Sequence, residues 1–314
     1  MTTHDAIFVK NLHKSFGKNP AVQGVRFTVH TGEIFSLLGP NGAGKTTTIS
    51  MLSGLTEPSD GDAYIMGLSI RQESRAARAV LGVVPQEIAL YMDLSARENL
   101  LFWGKMYGLS GSILRQRVDE TLEIIGLSAR QKERVATFSG GMKRRVNIGV
   151  ALLHRPQVVI MDEPTVGIDP QSRRHILDAV KELNRQGMTV LYTTHYMEEA
   201  QEISDHIAIM DQGKMIACGT HAELIRSVGE QSRIELTLNA DPSLVMQNWQ
   251  MIEGVQQVSR SDGHVTVLTT DSNLVLPRLF EIASQVKTRI TSVEIQEPNL
   301  ETVFLQLTGK ALRD

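Results

Sequence analysis

The sequence is poor in cysteine, and Cys218 is the single one among its 314 residues. One cysteine excludes an internal disulfide, and Cys218 has no companion at a metal-ligand spacing. Because an isolated cysteine usually packs as a small hydrophobic side chain, we expect Cys218 to be buried. A reducing compartment such as the cytosol suits a chain of this composition.

Long apolar runs are also absent. No stretch of about 18 to 20 apolar residues, the length needed to cross a bilayer, occurs in the sequence. Residues 1 to 6 lack the charged and apolar regions that mark a secretory signal. We therefore expect that the chain does not cross a membrane by itself.

The sequence has no excess of basic charge. It contains 32 Lys and Arg against 35 Asp and Glu, which gives a formal net charge of −3 at pH 7. Proteins that bind nucleic acid mainly through its phosphates need a basic surface. The charge balance therefore gives no indication of a nucleic-acid partner, and we expect none.

Hydrophobic residues make up 41% of the chain, enough for one large domain and a smaller one. Alternating strands up to residue 38 predict an antiparallel β layer. A helical pattern over residues 95 to 153 predicts a helical subdomain. Beyond residue 158, the alternation of strand, helix and strand predicts a parallel sheet with helices on its faces. The predicted fold class is therefore α/β, with a first domain over residues 1 to 226.

The character of the sequence changes around residues 227 to 231, and we place a second domain at residues 232 to 314. The predicted order there is strand, helix, strand, strand, helix, strand, with a turn at Asp262 and Gly263 and a last helix over residues 300 to 307. This is the order of a small α+β domain of the ferredoxin-like type. We find no catalytic constellation in it.

A glycine-rich loop follows the apolar run of residues 33 to 38 and precedes a predicted helix. It fits the phosphate-binding pattern G-x-x-x-x-G-K-[ST]. Its glycines allow close backbone approach, and its N–H groups and the helix N-terminus attract anions. We expect Lys45 to reach the β- and γ-phosphates of a nucleoside triphosphate and the Thr46 hydroxyl to bind Mg²⁺. The loop consists of Gly39, Pro40, Asn41, Gly42, Ala43, Gly44, Lys45, Thr46 and Thr47.

An acidic pair, Asp162 and Glu163, ends the apolar strand predicted at residues 158 to 161. In partnership with a phosphate-binding loop, this pattern reads as a Walker B element. Asp162 would hold Mg²⁺, usually through water, and Glu163 would polarise the water that attacks the γ-phosphate. A solvated acidic pair in a loop is the alternative, but a phosphate-binding loop needs such a carboxylate partner.

Residues 138 to 143 read Phe-Ser-Gly-Gly-Met-Lys and precede the acidic strand. This segment resembles the LSGGQ signature of ABC-type ATPases, with Phe138 and Met142 in place of the commoner Leu and Gln. The resemblance covers about residues 6 to 225 and implies the P-loop NTPase fold of an ABC cassette. It also implies that Ser139, Gly140 and Gly141 close over the γ-phosphate of a nucleotide bound by a second cassette, in a homodimer.

Four further positions resemble functional residues of that family. The resemblance makes Gln86 the Q-loop glutamine near Mg²⁺ and the attacking water, and Asp169 the D-loop carboxylate at the dimer seam. It makes His195 the switch histidine that hydrogen-bonds the γ-phosphate. Phe16 stands where a tyrosine ring usually stacks on the base, although a core position is an equally good interpretation of this residue type.

Residues 297 to 309 resemble the C-terminal motif of the ATPases of drug-resistance and other ABC-2-type exporters. The resemblance implies an ATP- and Mg²⁺-dependent ATPase that drives a separate transmembrane permease subunit from the cytoplasmic face of the cell membrane. Two alternatives stay open: an importer ATPase with a ligand-sensing tail, and a soluble ABC ATPase that acts outside transport.

Overall fold

A computed structural model describes residues 5 to 228, 232 to 261, 264 to 297 and 299 to 308. The chain forms two compact units, the first extending to His221 and the second beginning at Ala222. The sequence-based boundary between residues 226 and 232 stays a prediction. The predicted turn at Asp262 and Gly263 lies outside the described residues.

The elements are numbered in chain order. The strands are β1 (Asp5–Phe16), β2 (Asn19–His30), β3 (Ile34–Leu38), β4 (Asp60–Ile65), β5 (Leu68–Ser69), β6 (Leu81–Val84), β7 (Val158–Asp162), β8 (Thr189–Thr194), β9 (His206–Asp211), β10 (Lys214–Gly219), β11 (Ser232–Leu238), β12 (Val255–Ser261), β13 (His264–Thr269) and β14 (Ile290–Gln296). The α-helices are α1 (Lys45–Leu52), α2 (Ser74–Ala79), α3 (Ala96–Met106), α4 (Gly111–Ile124), α5 (Gly140–Leu152), α6 (Pro170–Arg185), α7 (Met197–Ile203), α8 (His221–Val228), α9 (Ser243–Trp249), α10 (Ser272–Gln285) and α11 (Leu300–Thr308).

The first unit contains the predicted antiparallel layer, a four-stranded sheet in the order β2-β1-β4-β5. Buried and more exposed side chains alternate along its strands because only one face of the sheet is buried. In β1, for example, Ile7 and Val9 lie in the core while Phe8 and Lys10 are less buried or exposed. The tip of the β1–β2 hairpin places Phe16 at the end of its strand.

A six-stranded sheet in the order β10-β9-β3-β8-β7-β6 forms the centre of the first unit. All neighbours in it are parallel except the β9–β10 hairpin. Every residue of β3, β7 and β8 is buried, which explains why β3 and β7 are almost continuously apolar. The carboxyl ends of these three adjacent strands meet at one edge of the sheet, where the predicted site residues begin.

Helices α3, α4 and α5 pack around their own apolar cluster, which includes Leu100, Val118 and Val146. This is the predicted helical subdomain. Helix α3 begins with a capping box: Ser95 Oγ accepts from the Glu98 N–H at 3.2 Å, and Glu98 Oε2 accepts from the Ser95 N–H at 2.8 Å. Within the described ranges, no helix combines the length and the apolar character needed to cross a bilayer.

The Ser95 cap gives a first testable prediction. Ser95→Ala is expected to lower the free energy of unfolding by about 1 kcal/mol, because the Glu98 N–H at the start of α3 loses its side-chain acceptor. Urea unfolding would measure the change. Ser110→Ala is the matched control, since Ser110 precedes α4 without a side-chain cap bond; an equal loss in both variants would contradict the assignment.

The sequence-based expectation for Cys218 is wrong, because its side chain is exposed. Cys218 lies on β10, the last strand at one edge of the central sheet, where only Gly219 is buried. An edge strand has a neighbouring strand on one side only, so its side chains are less well covered. Residue type alone was therefore a poor guide to the burial of Cys218.

The second unit contains a four-stranded antiparallel sheet in the order β12-β13-β11-β14. Its elements follow the predicted order of strand, helix, strand, strand, helix, strand and final helix. Helices α9 and α10 share its core, where the buried Trp249 donates from Nε1 to the Leu279 carbonyl at 3.1 Å.

Candidate nucleotide-binding site

The glycine-rich loop joins the carboxyl end of β3 to the start of α1. Gly42 and Gly44 adopt positive φ angles of 82° and 100°, which favour glycine. A side chain at Gly39 would collide with the carbonyl oxygen of Met210 on the neighbouring strand β9. The backbone conformation therefore favours glycine at positions 42 and 44, and the neighbouring strand β9 requires glycine at position 39.

Lys45 lies inside this loop, and its side chain is buried. Its Nζ donates to the carbonyl oxygens of Gly39 and Pro40 at 2.7 and 3.1 Å. The same Nζ lies 3.0 Å from Glu163 Oε1, and the two side chains are only 4% and 5% exposed. The structure therefore brings the lysine of the loop and the second residue of the acidic pair, just beyond β7, into one buried ion pair.

Asp162 lies beside the first helical turn after the loop. Its Oδ1 accepts from Thr193 Oγ1 at 2.7 Å and from Thr46 Oγ1 at 3.4 Å. Burial raises the pKa of Asp162, and the hydrogen bonds from the two threonines oppose that rise. The Asp162 carboxylate and the Thr46 hydroxyl are hard oxygen donors of the kind that Mg²⁺ takes, so these residues fit the predicted metal.

Glu163 stands between Lys45 and His195. It has a positive φ of 43° just beyond β7, and its N–H donates to Thr193 Oγ1 at 2.9 Å. Its other carboxylate oxygen, Oε2, lies 3.3 Å from His195 Nδ1. The two atoms are close to each other, but the contact is not a directed hydrogen bond. Thr193 thus bridges both acids, a role that sequence reasoning missed because a threonine in a strand carries no local signal.

The signature segment and the D-loop lie against each other. Ser139 caps α5 by accepting from the Met142 N–H at 3.3 Å, and Asp169 caps α6 by accepting from the Ser172 N–H at 2.9 Å. Any side chain at Gly141 would collide with Ser172. Ser139, Gly140 and Asp169 are all exposed. The structure places these residues on the surface, apart from the contacts of Lys45, Asp162 and Glu163.

Gln86 is exposed in the loop that follows β6. Two residues of α5 hold this loop: Arg144 donates to the carbonyl oxygens of Pro85 and Gln86, and Asn147 donates to that of Glu87 at 3.4 Å. Arg144 is buried, and burial lowers its pKa. Sequence reasoning missed Arg144 and Asn147, since nothing in a helical pattern shows that a side chain reaches a distant loop.

Phe16 is 56% exposed, so the interpretation of Phe16 as a core residue is wrong. The Nζ of Lys14 lies 5.2 Å from the centroid of its ring. An exposed ring at the tip of a hairpin can accept a stacked partner. Its contact with a base stays a prediction.

Comparisons with known proteins point to one family of ATP-binding proteins. The family model described as ABC transporter matches residues 22 to 166, which include the glycine-rich loop, the signature segment and the acidic pair. The chain is 48% identical over 307 residues to the linearmycin resistance ATP-binding protein LnrL of Bacillus subtilis (strain 168), covering 97% of this chain and 99% of that protein. It is 39% identical over 310 residues to the Nod factor export ATP-binding protein I of Paraburkholderia xenovorans (strain LB400), covering 98% and 99%.

Solved structures add a dimeric example. An ATP-binding cassette in a post-hydrolysis state, bound to ADP and Pi, superimposes with a TM-score of 0.62 at 27% identity. The match covers 68% of this chain and 98% of that one.

Proposed function

Because the chain belongs to the ATP-binding subunits of the ABC transporter family, whose members are ATPases, we propose that it drives export through a separate membrane subunit. The observation that carries the direction is the likeness over nearly the full chain to proteins named for linearmycin resistance and for Nod factor export. Both names favour export over the alternative of an importer with a ligand-sensing tail.

The buried cluster supports a division of labour at the phosphates. Lys45 binds the β- and γ-phosphates, Thr46 and Asp162 hold Mg²⁺, and Glu163 accepts a proton from the attacking water. Mg²⁺, when bound, neutralises charge that develops on the phosphates. His195, close to Glu163, hydrogen-bonds the γ-phosphate. The Gln86 loop is held by Arg144 of α5.

The Lys45–Glu163 contact suggests how binding and catalysis are linked. The lysine ammonium neutralises the carboxylate at 3.0 Å in a buried setting. A triphosphate competes with that carboxylate for the ammonium, because it carries more negative charge. Nucleotide binding therefore releases Glu163 from Lys45 and leaves the carboxylate able to take a proton.

A second copy of the chain completes each site. Ser139 and Gly140 are exposed at the start of an α-helix, where N–H groups and a hydroxyl can bind an anion. Asp169, exposed beside them, belongs to the same surface. The dimeric relative bound to ADP and Pi supports this arrangement. We infer a homodimer in which the signature segment of one chain covers the nucleotide of the other.

Mixing two inactive variants tests this dimer. Ser139→Arg and Lys45→Ala are each expected to hydrolyse ATP poorly, but their mixture should regain about a quarter of the wild-type rate. Half of the randomly formed dimers then contain one intact site out of two. Mixing Lys45→Ala with Asp162→Ala is the control, because both variants damage the same side and no intact site can form. Equal rates in the two mixtures would exclude complementation between chains.

An exposed apolar stripe supports the membrane partner. It consists of the exposed Tyr91 and Met106 and the half-buried Phe102, beyond the Gln86 loop. The rings of Tyr91 and Phe102 lie 4.7 Å apart, and Met106, one turn further along α3, is 67% exposed. An apolar helix of a membrane subunit fits such a surface. We infer that the chain sits at the cytoplasmic face of the cell membrane.

A charged substitution in the apolar stripe tests this contact. Met106→Asp is expected to reduce cosedimentation with membranes of the native host about tenfold, because it places a charge in an apolar interface. ATP affinity should stay unchanged. Leu55→Asp is the matched control, since Leu55 is 78% exposed in the turn after α1. Undiminished membrane association of Met106→Asp would contradict the stripe as the docking surface.

We also infer that residues 232 to 314 form a ferredoxin-like accessory domain. The sheet order β12-β13-β11-β14 and its antiparallel pairing support this description, together with the strand and helix order.

A further inference from the structure

Three side chains form a row that ends at His195. The guanidinium carbon of Arg173 lies 4.5 Å from the centroid of the Tyr196 ring. The Tyr196 and His195 rings have centroids 4.2 Å apart and planes tilted by 43°. Stacking of this kind restricts how each ring can turn. The orientation of the imidazole is therefore coupled to the position of Arg173.

A buried carboxylate anchors the far end of the row. Glu199 is 3% exposed, and its Oε2 accepts from Thr165 Oγ1 at 2.9 Å, Tyr192 Oη at 3.0 Å and Thr194 Oγ1 at 2.9 Å. Its second oxygen, Oε1, lies 3.4 Å from Arg173 Nε in an ionic contact. Three hydroxyl groups fix the position of the Glu199 carboxylate. The negative charge of this carboxylate then holds the Arg173 guanidinium against the Tyr196 ring.

Arg173 also belongs to the first turn of α6. Its N–H donates to the Asp169 carbonyl at 2.9 Å, so it is tied to the D-loop residue that caps this helix. At the other end of the row, His195 Nδ1 lies 3.3 Å from Glu163 Oε2. The row therefore joins the exposed start of α6 to the buried acid of the nucleotide site.

We propose that Arg173 is a positioning residue for ATP hydrolysis, which holds the His195 imidazole in place through the Tyr196 ring. The inference rests on the proposed role of His195 at the γ-phosphate. A guanidinium suits the task because it is planar, always charged and able to stack while it pairs with a carboxylate.

Kinetics of the full-length protein test the proposal. Arg173→Met is expected to lower kcat for ATP about 10- to 100-fold, since displacing a catalytic group by about 1 Å costs that much. KM for ATP should change less than about twofold. Arg174→Met is the matched control, because Arg174 is the next residue on α6 but pairs on the surface with Asp178 and Glu202; it should retain the wild-type kcat. A parallel rise in KM would overturn the positioning role.

Two substitutions of Tyr196, one that keeps the aromatic ring and one that removes it, provide a second test. Tyr196→Phe keeps the stack and is expected to retain most of the wild-type kcat, whereas Tyr196→Leu should lose as much as Arg173→Met. Equal rates for these two Tyr196 variants would overturn the proposal.

A double-mutant cycle separates this inference from the proposed function. In a His195→Ala background, Arg173→Met is expected to cause no further loss of the single-turnover rate. A further loss as large as in the wild type would show that Arg173 acts elsewhere. If His195→Ala itself hydrolyses ATP at the wild-type rate, the role of His195 and the inference fall together. If only His195→Ala is impaired, the inference alone falls.

Discussion

Glu163→Gln is expected to lower the ATP turnover number at least about 100-fold while leaving ATP affinity nearly unchanged. Glutamine has the same size, but its amide cannot take a proton from the attacking water, and a general base contributes about 10²- to 10⁴-fold. The position of Glu163 between Lys45 and His195 supports this role. With ATP bound and hydrolysis blocked, the variant should elute as a stable dimer.

Single-turnover hydrolysis and size-exclusion chromatography would measure the effect of Glu163→Gln. Glu33→Gln is the matched control, since Glu33 is also a buried carboxylate but precedes β3 at the opposite edge of the sheet. Hydrolysis by Glu163→Gln at the wild-type rate would exclude Glu163 as the base.

Lys45→Ala is expected to weaken ATP binding by at least about 100-fold, because the phosphates lose their one buried ammonium contact from this loop. It should also lower the free energy of unfolding by about 3 kcal/mol, since it leaves the Glu163 carboxylate buried without its partner. Isothermal calorimetry and urea unfolding would measure the two effects.

Adding Glu163→Gln to Lys45→Ala separates folding from binding. The double variant should regain part of the lost stability, because its buried side chain is neutral, but it should not regain ATP affinity. Lys181→Ala, which removes a surface lysine paired with Glu202, should change neither. Wild-type ATP affinity in Lys45→Ala would contradict the whole assignment of the loop.

The local sequence pattern predicted those parts of the site whose place in the fold follows from the strand that precedes them. The glycine-rich loop and the acidic pair each follow a buried parallel strand, and β3, β7 and β8 are neighbours. Residues that directly follow such strands meet at one sheet edge whatever the details of packing. Lys45, Asp162 and Glu163 could therefore be grouped before their contacts were known, whereas His195 was assigned to the site by the family resemblance.

Residues that act across the fold could not be found in this way. Thr193 bridges two acids from the adjacent strand, and Arg173 reaches Tyr196 from another helix. Both contacts depend on tertiary packing, which leaves no spacing in the sequence. The helices α7 and α8 were also not predicted from the sequence.

The grip of α5 on the Gln86 loop has a consequence for how the two copies influence each other. Arg144 and Asn147 bind the loop backbone from the same helix that Ser139 caps, so the loop and the signature segment are attached to one helix. In the proposed dimer, that segment serves the nucleotide of the opposite chain. A membrane subunit that contacts the Gln86 loop of one chain would then act, through α5, on the nucleotide bound by the opposite chain.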